Sequence, residues 1–239
     1  MAHRTRSRML RTRIAWLILV SAGGIQTAAK NAVQEQGEFK IFVDGKEIGT
    51  ERYFLAVAGD SASSTSILDV KNPANSGKKE HMESKLDMDG RFRPVNYRLT
   101  KDVDGKKATI VGFFSPNQAM FEYSSGTAPI KKGLLVGNDY TILDTNLFHH
   151  FVFLVRLFKF DAKEKIQRFE VVIPQAIDSG ILKVSEVDRE TLVVKGKKTE
   201  TRRLQIDSGA LVIHLWVDKQ RVLQRISVPG SSIEVLRDS

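Results

Sequence analysis

The side chains with most chemical reach in this 239-residue chain are five histidines: His3, His81, His149, His150 and His214. His149 and His150 are adjacent, so on a helix they point about 100° apart and do not readily share one metal. No His-x-x-x-His or His-Glu-x-x-His spacing occurs, and the chain has no cysteine. A metal held by His81, His149 and a distant carboxylate is conceivable. The plainer reading places the histidine pair where a helix meets a sheet rim, bonded to backbone carbonyls. For nucleophilic catalysis there is no Gly-x-Ser-x-Gly elbow, and Ser125, Ser208 and Ser231 stand in turn sequences. The carboxylate pairs Asp87/Asp89 and Asp102/Asp104 flank predicted turns, and the glycines are too scattered for a phosphate loop. The expectation is a non-enzymatic protein with no catalytic set, no metal and no cofactor. The alternative is a hydrolase whose site has no recognisable motif.

The elements that position these groups follow from periodicity. Residues 144–160 have no turn residue for over a dozen positions. Leu147, Phe151, Leu154 and Phe158 recur at helical spacing, with Phe148, Val152 and Val155 widening the face. Asp144 or Thr145 is the expected N-cap. Elsewhere apolar residues alternate with polar ones in runs of about five to ten residues, separated by turns such as Asp44-Gly45, Asp89-Gly90 and Asp104-Gly105. The strands expected include 181–188 and 190–195, divided at Arg189. No βαβ alternation is evident, which argues against parallel pairing. The fold class is therefore mainly β: a large curled antiparallel sheet, or incomplete barrel, around one clasped α-helix. An apolar ligand would lie between sheet and helix. Phe148, Phe151, Val152, Val155 and Phe158, with His149 and His150, would line that site, opposite Phe54, Met82, Met88 and Tyr97. The competing reading is that the helix fills the hollow and leaves a dry core.

The N-terminus reads as an export signal. Arg4, Arg6, Arg8, Arg11 and Arg13 precede a short apolar run from Ile14 to Val20, and Thr27-Ala28-Ala29 offers small residues for cleavage. That divides the chain into a signal helix at 1–29 and a single β-rich domain at 30–239, with a sub-boundary near 180 as the alternative. The other reading is a retained anchor, although the run is shorter than the roughly 20 residues that span a bilayer. Losing the signal's five arginines lowers the net charge of +9 to +4, which weakens a nucleic-acid reading. No later apolar run is long enough to cross a membrane as a helix. The location expected is periplasmic or secreted.

Both ends of the mature chain carry a resemblance. The opening Asp44-Gly45-Lys46-Glu47-Ile48-Gly49 and the closing pair Leu211 to Asp218 and Arg221 to Ile226 are similar to the first and last hairpins of uncharacterised secreted bacterial proteins. That resemblance implies a long curled antiparallel sheet. It also implies a distant likeness to periplasmic carriers of lipoproteins, whose incomplete barrels hold acyl chains against a helix. The partner expected is an apolar or lipid ligand, or else an envelope protein bound at a sheet edge. Basic clusters at Lys131-Lys132, Lys195 to Lys198 and Arg202-Arg203, with Arg221 and Arg225, are edge and turn charges, or a face toward anionic headgroups. Expression with export should yield a chain that begins at Lys30. Intact-mass measurement checks this, and a mass retaining residues 1–29 would instead identify an anchor.

Overall fold

The structure, a computed structural model, describes residues 33–72, 77–126 and 128–238. The expected signal segment lies outside them. Alternation sets the architecture. In β4 (Lys78–Asp89), Glu80, Met82, Ser84, Leu86 and Met88 turn inward while Glu83 and Lys85 face out. The strands before it are β1 (Val33–Val43), β2 (Lys46–Ala58) and β3 (Ser61–Asn72). After it come β5 (Pro94–Val103), β6 (Lys106–Ser115), β7 (Gln118–Ser124), β8 (Ile130–Leu135) and the short β9 (Tyr140–Ile142). Helix α1 (His150–Leu157) leads to β10 (Ile166–Ile173), β11 (Asp178–Val194) and β12 (Lys197–Asp207). The chain ends with β13 (Val212–Asp218), β14 (Leu223–Val228) and β15 (Ile233–Arg237).

All of these strands join one 15-stranded sheet, in the order β8 to β1, then β15 to β9. Two meanders are thus sewn together where β1 meets β15, with Ile41 opposite Val235 and Phe39 opposite Arg237. The hairpin turns at Asp44-Gly45 and Asp104-Gly105 hold both residues at positive φ, the conformation that favours Asp-Gly in two-residue hairpins. Gly49 lies beside a register shift between β1 and β2, where a Cβ would stand 2.0 Å from the Asp69 carbonyl oxygen of β3.

The sheet curls without closing its ladder, and side chains span the gap. Tyr123 donates to the Pro174 carbonyl at 2.6 Å, Tyr140 to that of Ser115 at 2.9 Å, and Thr141 to that of Phe92 at 2.9 Å. Phe39, Leu55, Leu68, Met82, Leu99, Phe121, Ile206, Leu215 and Val235 line the hollow, and α1 fills it. Every residue from His150 to Val155 is buried. A helix apolar on all sides has no face to offer water, so it is stable only when enclosed.

Three local expectations are corrected. The helix is eight residues long rather than running from 144 to 160. Asn146 takes a left-handed conformation, so the chain reaches α1 through successive tight turns, and Phe158 is already extended. β11 runs unbroken from 178 to 194, and a bulge between Glu186 and Asp188 replaces the expected division at Arg189. Finally, β9 pairs parallel with β10 across α1, one parallel step in an otherwise antiparallel sheet. β9 is only three residues long, too short to show a period.

Candidate functional site

Helix α1 enters the hollow with the His150, Phe151 and Val152 amides bonded back to the Leu147, Phe148 and His149 carbonyls, while the Phe148 and His149 amides just before it have no backbone acceptor among the described residues. Neither Asp144 nor Thr145 caps it. Glu51 does, from β2, 97 residues away in sequence. Its Oε2 accepts from the Phe148 and His149 amides at 2.8 and 3.1 Å, and its Oε1 accepts from His149 Nδ1 at 2.6 Å. Glu51 and His149 are fully buried. The Glu51 side chain therefore lies at the N-terminal end of the helix and beside an imidazole.

Asp144 serves a different joint. Its Oδ2 accepts from the Tyr97 hydroxyl of β5 at 2.6 Å, and its Oδ1 from the Thr145 and Gln175 amides at 2.9 Å. Burial pushes the Asp144 carboxyl up, against the lowering pull of Tyr97 and of the backbone donors. The Asp144 amide donates to His150 Nδ1 at 2.9 Å, which places the proton of that neutral ring on Nε2. His149 has the opposite arrangement, since its Nδ1 is the donor to Glu51. The two rings lie 4.4 Å apart, and neither Nε2 has a hydrogen-bond partner among the described residues. Burial first, and then the neighbouring His149, hold His150 well below the ordinary imidazole range.

The far end of the helix is pinned as well. Arg156, in its last turn, pairs with Glu35 of β1, which accepts from the Tyr53 hydroxyl at 2.7 Å. Arg237 of β15 donates to that same hydroxyl at 2.5 Å. Chemically the cluster resembles an acid–base relay: carboxylate, imidazole, imidazole, phenol. Its reactive nitrogens are sealed from water, so in this conformation the groups tie helix to sheet.

The candidate ligand residues Phe148, Phe151, Val152, Val155 and Phe158 all lie in the core. Met82, Met88 and Tyr97 face them from the sheet as expected, but Phe54 does not. Its position in β2 has the opposite parity to Tyr53 and Leu55, which turns it outward. His81 stands on the outer side of β4 between Asp69 and Glu83, at 2.7 and 3.1 Å, so it shares no site with His149. His214 lies on β13, its ring 6.0 Å from that of Trp216, and His3 is outside the described residues. Among the described residues, no group of three or more His, Cys, Asp and Glu side chains is arranged to hold a metal ion. Sequence reasoning passed over Glu51. The available signal was an acid on the same strand parity as Tyr53 and Leu55.

Of five surface clefts of about 460 to 630 Å³, none is lined by Phe148, Phe151, Val152 or Val155. The largest of these five, about 630 Å³, lies beyond the C-terminal end of α1 and is lined by Phe160, by the cations Arg189, Arg202, Lys219 and Arg221 and by the acids Asp161, Glu190, Glu200 and Asp218. The Arg202 and Arg221 guanidinium carbons sit 4.2 and 5.3 Å from the Phe160 ring centre. Arg202 is committed to Glu186, and Lys219 to Glu200. Arg221 makes no ion pair among the described residues. Phe160 packs edge-on against Phe158, 4.9 Å between centres, and Phe158 lines an adjoining cleft of about 550 Å³.

These features define an open β-barrel-like fold with a helical plug. Similarity to one solved structure agrees. The chain aligns over 88% of its length with 96% of a β-barrel-like protein of domain of unknown function DUF1849 from Brucella abortus, at TM-score 0.58 and 11% identity. A DUF1089 family protein from Pseudomonas aeruginosa aligns over 76% of this chain and 90% of its own, at TM-score 0.47 and 13% identity. No family model and no curated protein matches the sequence. No helix among the described residues is long and apolar enough to cross a membrane.

Glu51→Ala should lower the unfolding free energy by about 3–5 kcal/mol, because it strands a buried imidazole and uncaps the helix. Urea titration checks this, and Glu51→Gln, which keeps an acceptor for the two amides, should cost less.

The pH dependence has a definite sign. His150 is neutral in the fold, but the unfolded chain protonates it below about pH 6.5, so its contribution is complete above that pH and lost on acidification. His81 acts in the opposite sense. Asp69 and then Glu83 raise its pKa, so its contribution is present below about pH 6.5 and fades as pH rises through the raised value. Exposure makes that share small. Between about pH 7.5 and 5.5 the protein should lose roughly 1 kcal/mol of stability, and His150→Asn should flatten that slope in matched urea titrations.

Proposed function

We propose that this chain is a non-enzymatic, exported protein of the cell envelope, periplasmic or secreted, that binds an apolar or lipid-like ligand. The observation that carries the reading is the cleft at Phe160. Its volume of about 630 Å³ falls within the roughly 300–1,000 Å³ usual for small-molecule sites. It combines a cation without an ion pair, Arg221, with an aromatic floor that continues through Phe158 toward the core. An anionic headgroup would meet Arg221, and the apolar part would lie along Phe160 and Phe158. The non-enzymatic part of the reading is supported by the commitment of Glu51, His149, Asp144 and Tyr97 to the helix seat, out of reach of solvent.

A fluorescent fatty acid titrated into the purified chain should saturate at one site. Phe160→Ala or Arg221→Glu should weaken it by about tenfold, equivalent to roughly 1.4 kcal/mol. Native mass spectrometry of the exported protein supplies the complementary measurement. If no lipid co-purifies and the probe does not bind, the carrier reading fails.

A further inference from the structure

The sheet has two ends, and they differ. β9 is three residues long, wholly buried, and tied down through Tyr140 and Thr141. β8 is six residues long and bonded on one side only. Residues 130–135 pair with β7, and no other backbone hydrogen bond leaves them among the described residues. Their outward amides and carbonyls are therefore free to template another strand. Ile130 and Leu135 are 57% and 84% exposed, beyond what this ladder covers.

The side chains restrict what can add. Lys131 stands opposite Glu122 of β7, 3.7 Å away, and Lys132 makes no ion pair among the described residues. Directly opposed like charges destabilise a strand pair. A second copy of β8 would bring Lys131 against Lys132 in one antiparallel register, and against Leu134 in the next. A neutral strand would leave both ammonium groups beside its backbone. The same lysines attract an acidic strand over these partners, and Lys131 continues the cross-strand alternation that Glu122 begins.

We propose that β8 is a docking edge for an extended acidic peptide segment of a partner protein, which adds as a sixteenth strand. The fitting pattern, in the antiparallel sense, is two apolar residues opposite Leu135 and Leu134, a small residue opposite Gly133, two acids opposite Lys132 and Lys131, and an apolar residue opposite Ile130. Backbone pairing supplies affinity, and the lysines supply selection. This edge is separate from the cleft at Phe160, so neither reading depends on the other.

The test uses the full chain and a capped Val-Val-Gly-Glu-Glu-Leu peptide, with hydrogen exchange as readout. Binding should slow exchange of the amides in 130–135. Lys131→Glu combined with Lys132→Glu, both exposed and compatible with an intact fold by circular dichroism, should weaken the peptide by about tenfold. A peptide with lysines in place of its glutamates should bind that double variant and not the original chain. Three results would overturn the proposal: no saturable protection at 130–135 up to millimolar peptide, equal binding of the acidic and basic peptides, or a concentration-dependent dimer whose contact maps to β8.

Discussion

One carboxylate holds the plug in place. Eight residues are too few for a helix to persist alone in water, and α1 presents no polar face that would let it rest on a surface. Enclosure meets the second demand but worsens the first, because the amides of the turn that leads into the helix, Phe148 and His149, enter an apolar interior without a backbone acceptor among the described residues. Glu51 resolves the conflict by accepting both of those amides and the His149 ring together. The remaining polar ties follow the same logic. Tyr97 and Asp144 fix the turns leading into the helix, and Arg156 with Glu35 fixes its exit.

Burying this many ionisable groups gives the assembly direction as well as strength. An apolar plug in an apolar hollow could slide or rotate at little cost. Here Glu51, Asp144 and Glu35 reach α1 and its approach at three separate points, from β2, the preceding turn and β1, and so specify depth and orientation. The Nε2 atoms of His149 and His150 and the Nε of Arg156 have no hydrogen-bond partner among the described residues, at a cost of about 1–3 kcal/mol each.

Much of the sheet was legible in the sequence because alternation and Asp-Gly turns are local signals. Strands such as β4 announce their buried face residue by residue. The helix was visible but too long, since Phe158 and Phe160 extend the apolar rhythm after the backbone has already straightened, and Asn146 conceals a left-handed break. β9 was invisible at three residues, and with it the parallel step. The seat itself was half legible. His149, His150 and Tyr97 drew attention by type, whereas Glu51 looked like one more strand acid. Its partner lies 97 positions away, and the distance between a cap and its helix is written in no local pattern. Phe54 was misplaced for a simpler reason: side-chain parity in β2 outweighs aromatic character.

The seam between β1 and β15 joins the first described strand to the last. Register pairs such as Phe39 with Arg237 close a loop of nearly the whole chain, so neither meander has its inner neighbour until the C-terminus is available. Closing so long a loop costs entropy before any ladder bond repays it, which makes this a late and slow contact. A chain folded only as far as β14 would therefore carry two half-sheets with raw central edges, and the pairing of β15 with β1 turns them into one.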